Sequence, residues 1–99
     1  MARFDVYPNP DGNGLLVDIQ ADLMSHLESR VVVPLIPLDV APAPSKILNP
    51  LFKIEDNPYL LLTQQLAAVP AQLVKRPIAS LADRRDEIVA AVDLLLQGF

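Results

Sequence analysis

The sequence has no cysteine, a single histidine and only three glycines among its 99 residues. Without cysteine the chain can form no disulfide, no thiolate metal site and no thiol nucleophile. The single histidine, His26, excludes a metal centre with several imidazoles, and its neighbour Ser25 is poorly oriented for proton transfer within a triad. Three glycines are too few for a glycine-rich phosphate loop. We therefore expect no metal, no cofactor and no catalysis, and we interpret His26 as a solvated loop residue.

Positive charge is also scarce. Eight Lys and Arg residues stand against twelve Asp and Glu residues, which gives a formal net charge of -4. Nucleic-acid affinity depends on clustered Lys and Arg, so we expect no direct binding of nucleic acid by this chain.

Long apolar runs are missing. No stretch approaches the ~20 apolar residues of a membrane span, and residues 1–4 lack the apolar core of a signal peptide. We expect a cytoplasmic protein with no membrane association. The length predicts one domain over residues 1–99, small enough that self-association would help it to bury surface.

Ten prolines, about twice the usual ~5% share, disfavour long helices in the first 80 residues and favour short strands. Apolar and β-branched runs separated by turn residues predict two hairpins, a central strand with a bulge or bend at Pro34, and a final strand. The predicted hairpin strands are 4–7 with 15–19 and 51–54 with 59–62, the central strand is 31–38 and the final strand 71–74. Residues 63–68 are predicted as a short helical turn and 40–46 as a proline-rich connector.

A helix is predicted for the last twenty residues. Ser80 and Asp83 have the spacing of a capping box, and apolar residues then recur at steps of three and four. The predicted apolar stripe contains Leu81, Arg85, Ile88, Val92, Leu95 and Phe99, and is widened by Val89 and Leu96. We interpret the charged run 83–87 as a solvated first turn.

Short strands followed by one helix predict an α+β domain or a small, partly closed barrel. A sheet of this size must cover its edges or share them with a second copy, so a dimer is expected.

Several stretches, taken together, resemble the CcdB family, the gyrase-directed toxins of bacterial toxin-antitoxin pairs. They follow the family order through nearly the whole chain: Phe4–Tyr7, Val17–Leu23, Arg30–Leu35, Leu61–Pro70 and Glu87–Leu95. Three features are specific for the family in combination. They are the strand ending in Val-Pro-Leu, the Thr-Gln-Gln-Leu-Ala-Ala-Val-Pro segment, and a helix that ends in glycine plus one apolar residue.

The resemblance implies a mostly β (α+β) fold: an SH3-like barrel with a five-stranded antiparallel sheet, a small accessory sheet and a C-terminal helix packed near a dimer axis. It implies a homodimer that binds the A subunit of DNA gyrase and traps the enzyme on cleaved DNA without catalysis by the toxin. It also implies a CcdA-like antitoxin that neutralises the toxin and, through its own DNA contacts, represses the operon together with it.

The gyrase-binding positions that the resemblance implies lie in two parts of the chain. The first comprises Asp93, Gln97, Gly98 and Phe99 on and after the helix, and the second comprises Leu23 and Met24 on the loop after the second strand. Such a surface needs exposed apolar and aromatic groups, because its role is contact and not proton transfer.

One position departs from the family pattern. Gln97 stands where the family has a tryptophan that stacks on an arginine of the target, and glutamine cannot make a cation-π contact. The main alternative is therefore an interaction protein that has kept the CcdB fold and lost gyrase poisoning. The third hypothesis is a MazF-like endoribonuclease on the same barrel, which would need a basic groove and an acid-base set.

Overall fold

The computed structural model describes residues 2–40 and 47–98. The described part contains seven strands, β1 (Asp5–Pro8), β2 (Leu15–Asp18), β3 (Ser29–Pro37), β4 (Leu51–Ile54), β5 (Asn57–Leu61), β6 (Ala67–Pro70) and β7 (Ala79–Ser80), and one α-helix, α1 (Arg85–Gln97). Of the predicted connector 40–46, all but Val40 lies outside the described residues.

All strand pairings between described residues are antiparallel. The sheet runs in the order β4-β5-β3-β2-β1-β7, and β6 pairs with β3 as well. This sheet is nearly closed into a barrel and is followed by the C-terminal helix. The predicted mostly β fold with α+β character is confirmed. All seven described strands belong to one sheet, in which β3 pairs with β2, β5 and β6.

The first predicted hairpin is confirmed, with Val6 paired to Val17 across β1 and β2. Gly14, at the end of its connecting loop, has a φ of 94°. A Cβ atom at this position would lie 2.6 Å from the Leu35 carbonyl oxygen. Only glycine therefore fits at this close approach to the β3 backbone.

Strand β3 is the strand that the two arms of the sheet share. One edge pairs with β2 residue by residue from Val32 to Leu35, so the predicted bulge at Pro34 is absent there. On the other edge, β6 pairs with residues 29–32 and β5 with residues 35–37. Pro34, which has no N–H to donate, lies in the gap between these partners, and its carbonyl oxygen accepts the Leu62 N–H at 2.9 Å. The strand continues through proline because its partner changes there.

The second hairpin is confirmed as β4 and β5, joined by a two-residue turn at Glu55 and Asp56. The predicted helical turn is present as a 3-10 turn over Thr63–Gln65. The predicted final strand 71–74 is wrong: Ala71–Leu73 form another 3-10 turn, and the strand is β6 immediately before it. Strand β6 pairs with β3, which brings its backbone into the sheet.

The predicted capping box is wrong. Ser80 belongs to β7, and its hydroxyl accepts the Ala82 N–H at 3.2 Å, within a local turn. A 3-10 turn over Ala82–Arg84 follows, and α1 begins only at Arg85, without a side-chain cap. The helix starts later than predicted because the chain first completes the β7 pairing.

The helix packs on the core through Ile88 and Ala91, which are both fully buried. Other positions of the predicted stripe are only half-buried, as Val92 and Leu95 are, or exposed, as Arg85 is. The main core beneath α1 is formed by apolar residues from several strands, among them Val6, Val17, Val33, Leu35, Phe52 and Leu61. No helix among the described residues is long and apolar enough to cross a membrane.

Candidate functional site

The turn after β2 presents an unusually exposed apolar side chain. Leu23 is 82% exposed and Met24 is 41% exposed, on a 3-10 turn over Asp22–Met24. None of the three residues of this turn is buried. The turn therefore offers apolar surface for contact with another molecule.

The end of α1 is the second part of the predicted surface. Gly98 takes a left-handed conformation with a φ of 83° and donates its N–H to the Leu94 carbonyl oxygen at 3.0 Å, which closes the helix. Gln97 is exposed, and its side-chain Nε2 lies 3.5 Å from Oδ1 of half-buried Asp93. Leu96, beside them, is 67% exposed. Phe99 lies outside the described residues.

Hydrogen bonds from elsewhere in the chain fix the turn after β2. The Arg3 backbone N–H donates to Asp22 Oδ1 at 2.8 Å, and Arg3 Nε donates to the Ile19 carbonyl oxygen at 3.0 Å. From the interior, Gln20 Nε2 donates to the Met24 carbonyl oxygen at 2.8 Å. The backbone that carries Leu23 is thus held on two sides.

A buried ion pair lies behind this turn. Arg30 and Asp18 are both fully buried, and Arg30 Nη2 lies 2.6 Å from Asp18 Oδ2, which also accepts a hydrogen bond from Arg30 Nε at 2.8 Å. Burial raises the pKa of the Asp18 carboxyl above its usual range, although hydrogen bonds from the Gln20 N–H and from Arg30 act in the opposite direction. The sequence alone does not reveal this pair, since alternation in a strand does not show which polar side chain will be enclosed.

The two parts of the predicted surface lie apart in this chain. Asp22, next to Leu23, lines a hollow together with Ala82 and Arg85, where α1 begins. Gln97 lies twelve residues further along α1, which at 1.5 Å per residue corresponds to about 18 Å. The Leu23 turn therefore lies near the opposite end of the helix from Gln97 and Gly98 of the same chain.

The surroundings of these residues present exposed apolar side chains, among them Leu23 and Leu96. His26 is exposed, and the described residues contain no group of three or more His, Cys, Asp or Glu side chains arranged to hold a metal ion. Arg30 is enclosed in its ion pair and so cannot contact a nucleic acid. What the surface offers is exposed leucine and methionine on a fixed turn and a closed helix end.

Comparison with known protein families gives this architecture its context. The family model described as CcdB protein matches residues 3–98, which is nearly the whole chain. The matched range includes the turn after β2, the buried pair behind it and α1 with Gly98. On this match, the chain belongs to the CcdB family, a family of toxins that act on gyrase.

Proposed function

We propose that this protein is the toxin of a type II toxin-antitoxin system and that it binds the A subunit of DNA gyrase and traps the gyrase-cleaved DNA complex. The match to the CcdB family over residues 3–98 carries this proposal. The contact surface comprises Leu23 and Met24 on the turn after β2, and Asp93, Gln97, Gly98 and Phe99 at the end of the helix.

The exposure of Leu23 supports a role in binding. Covering a leucine side chain that is 82% exposed would contribute about 1.5–2.5 kcal/mol to association. Because the turn is already held by hydrogen bonds to Arg3 and Gln20, little conformational entropy is lost when a partner covers it.

The proposal includes three further partners or roles. The toxin is a homodimer, so that a two-fold symmetric target meets the same contact twice. A CcdA-like antitoxin neutralises it through a disordered segment that folds on binding, and the two together repress their operon through DNA contacts made by the antitoxin. The site of action is the cytoplasm, where gyrase and DNA are found.

A gyrase cleavage assay tests the proposal. Purified full-length protein is expected to trap cleaved DNA, whereas a chain truncated after Leu96 is expected to trap none. Leu23→Asp should also lose trapping, while Leu38→Asp, at a leucine that is 42% exposed on another turn, serves as the matched control. Failure of the full chain to trap cleaved DNA with any amount of gyrase would reject the proposal.

Gln97 favours one second candidate, an interaction protein that has kept the fold and lost gyrase poisoning. Its side-chain amide is positioned toward Asp93 of its own helix, and an amide cannot stack on arginine as the family's tryptophan does. In that case the purified dimer would bind an antitoxin segment without trapping cleaved DNA. A MazF-like ribonuclease is the remaining alternative, and cleavage of single-stranded RNA by the pure protein would favour it.

A further inference from the structure

The turn that carries Leu23 cannot hold its own shape. It is a single 3-10 turn of three residues, it has no side-chain cap at Ala21, and none of its residues is buried. An exposed turn of this length gains almost nothing from packing, so its geometry must be imposed by the rest of the protein.

Gln20 joins this turn to the sheet. The side chain is only 8% exposed, and both ends of its amide are used. Nε2 donates to the Met24 carbonyl oxygen at 2.8 Å, and Oε1 accepts the Val31 N–H at 2.9 Å. One side chain thus connects the end of the turn to β3, whose backbone is fixed by pairing with β2 and β6.

The buried ion pair in turn fixes Gln20. Asp18 Oδ1 accepts the Gln20 backbone N–H at 2.9 Å, while Asp18 Oδ2 accepts from Arg30 Nε at 2.8 Å. The carboxylate is therefore held on both oxygens, and it determines where the Gln20 backbone lies. Hydrogen bonds therefore link Arg30 to Asp18, Asp18 to Gln20, and Gln20 to the Met24 carbonyl oxygen.

We propose that Gln20 is a positioning residue for gyrase binding, and that Asp18 and Arg30 act through it to set the presentation of Leu23 and Met24. This inference rests on the proposed function, because it assigns a role in an interaction of that same surface. Gln20 does not touch the target. It lowers the entropic cost of binding by holding the turn in its bound shape before contact.

Two substitutions at this position separate geometry from simple packing. Gln20→Met has a similar volume but makes neither hydrogen bond, and we expect its affinity for the gyrase A subunit to fall about fivefold to tenfold. Gln72→Met, at an exposed glutamine on the 3-10 turn after β6, is the matched control and should bind as the wild type does. Isothermal titration of each folded variant against the gyrase A subunit gives the comparison.

Gln20→Glu adds a readout that loss of stability alone would not produce. As a carboxylate it can accept from Val31 but cannot donate to Met24, whereas the protonated acid can donate again. The charged groups near it are Asp18 and Arg30 from the neighbouring strands, and Arg3 and Asp22 around the turn. We expect the affinity of this variant, relative to wild type at the same pH, to recover as the pH falls from 7.5 to 5.5. Gln20→Met should show no such recovery.

Amide hydrogen exchange of the free protein keeps this proposal distinguishable from the proposed function. In wild type the Ser25 and Leu27 amides, which donate to the carbonyl oxygens of Asp22 and Met24, should be protected from exchange. In Gln20→Met both amides should exchange faster, while exchange in the β2–β3 ladder stays unchanged. If wild type fails to bind gyrase but the exchange changes as expected, the proposed function fails and the network stands. The positioning role would be overturned if folded Gln20→Met showed unchanged amide exchange and unchanged affinity for gyrase. If Gln20→Met does not fold, the role would be overturned by a Gln20→Glu variant whose affinity does not recover as the pH falls.

Discussion

Asp18 is a carboxyl group with no exposed surface, held against a guanidinium group that has none either. Removing two charges from water is costly, and an ion pair at 2.6 Å offsets this cost only when the remaining polar atoms are also satisfied. The raised pKa of Asp18 shows that for this group burial outweighs the pairing with Arg30. A buried pair of this kind therefore adds little net stability.

The raised pKa of Asp18 predicts how the pH affects stability. Because the folded protein binds this proton more tightly than the unfolded chain, whose Asp pKa is about 3.9, the group adds stability below that pH and loses it as the pH rises through the folded pKa. Asp18→Asn cannot titrate at this position. The difference in unfolding free energy, wild type minus Asp18→Asn, should therefore fall as the pH rises from about 4.

Chemical denaturation of both proteins at a series of pH values measures this difference. The other carboxyl groups are common to both proteins, so their contributions cancel to first order. A difference that rises with pH would show that the Arg30 ion pair, and not burial, dominates the pKa of Asp18.

The residues of the candidate site, and those behind it, differ in how far the sequence could identify them. Leu23 and Met24 could be named from the family pattern, and the structure adds that they are exposed. The pairing of Asp18 with Arg30 could not be named, because it joins residues twelve positions apart on two strands and depends on their register. A short-range pattern contains no information on which polar side chain a distant strand will enclose.

At the scale of the elements, strand runs and turn chemistry predicted both hairpins correctly. The errors arose where a local signal competed with sheet pairing. Ser80 has the spacing of a helix cap, yet it pairs with Asp5 at the sheet edge, so the helix begins five residues later. In residues 71–74 only Val74 is a strong strand former, and β6 before them already occupies the free edge of β3.

The turn between β4 and β5 is open to stabilisation. Glu55 and Asp56 have φ values of 51° and 66°, the left-handed conformations of a two-residue hairpin turn that favours Asn-Gly. Replacing them by Glu55→Asn with Asp56→Gly should raise the unfolding free energy by about 0.5–1 kcal/mol, as measured by urea denaturation. Asp56→Ala, which tolerates this conformation less well, should lower it instead. Equal stability of the three proteins would contradict this account of the turn.

Helix α1 offers a test of which face supports the fold. Ile88 is fully buried and Leu96 is 67% exposed on the same helix. Ile88→Ala should lower the unfolding free energy by about 2–4 kcal/mol, because it leaves a cavity against the sheet. Leu96→Ala should change it by less than about 0.5 kcal/mol. Thermal unfolding of both variants measures the contrast, and similar losses would mean that Leu96 is covered in solution.

At the scale of the whole molecule, the residues of the proposed gyrase surface lie in two separate places. The Leu23 turn lies beside the start of α1, and Gln97 and Gly98 lie about 18 Å away at its other end. One compact contact patch therefore requires residues from two protomers. A two-fold axis near the helix end would bring the turn of one protomer close to the helix end of its partner.

This arrangement predicts complementation in mixed dimers. We combine a chain truncated after Leu96 with a full-length Leu23→Asp chain, unfold them together and refold them, so that mixed dimers form beside the two unmixed ones. In a mixed dimer the intact turn of the truncated chain meets the intact helix end of its partner, which restores one complete surface of two. The mixture should therefore recover part of the gyrase trapping that each variant lacks alone.

The same experiment can exclude a surface built within one protomer. With such a surface, each chain of a mixed dimer would still contain one defect, and no trapping would return. Refolding the two variants separately and mixing them afterwards is the control, since exchange of subunits between folded dimers is then the only route to mixed species. Recovery only after joint refolding would mean that dimerisation assembles the toxic surface as well as stabilising the fold. The small barrel would then depend on a second copy for its function, because neither end of α1 alone presents both the Leu23 turn and Gly98.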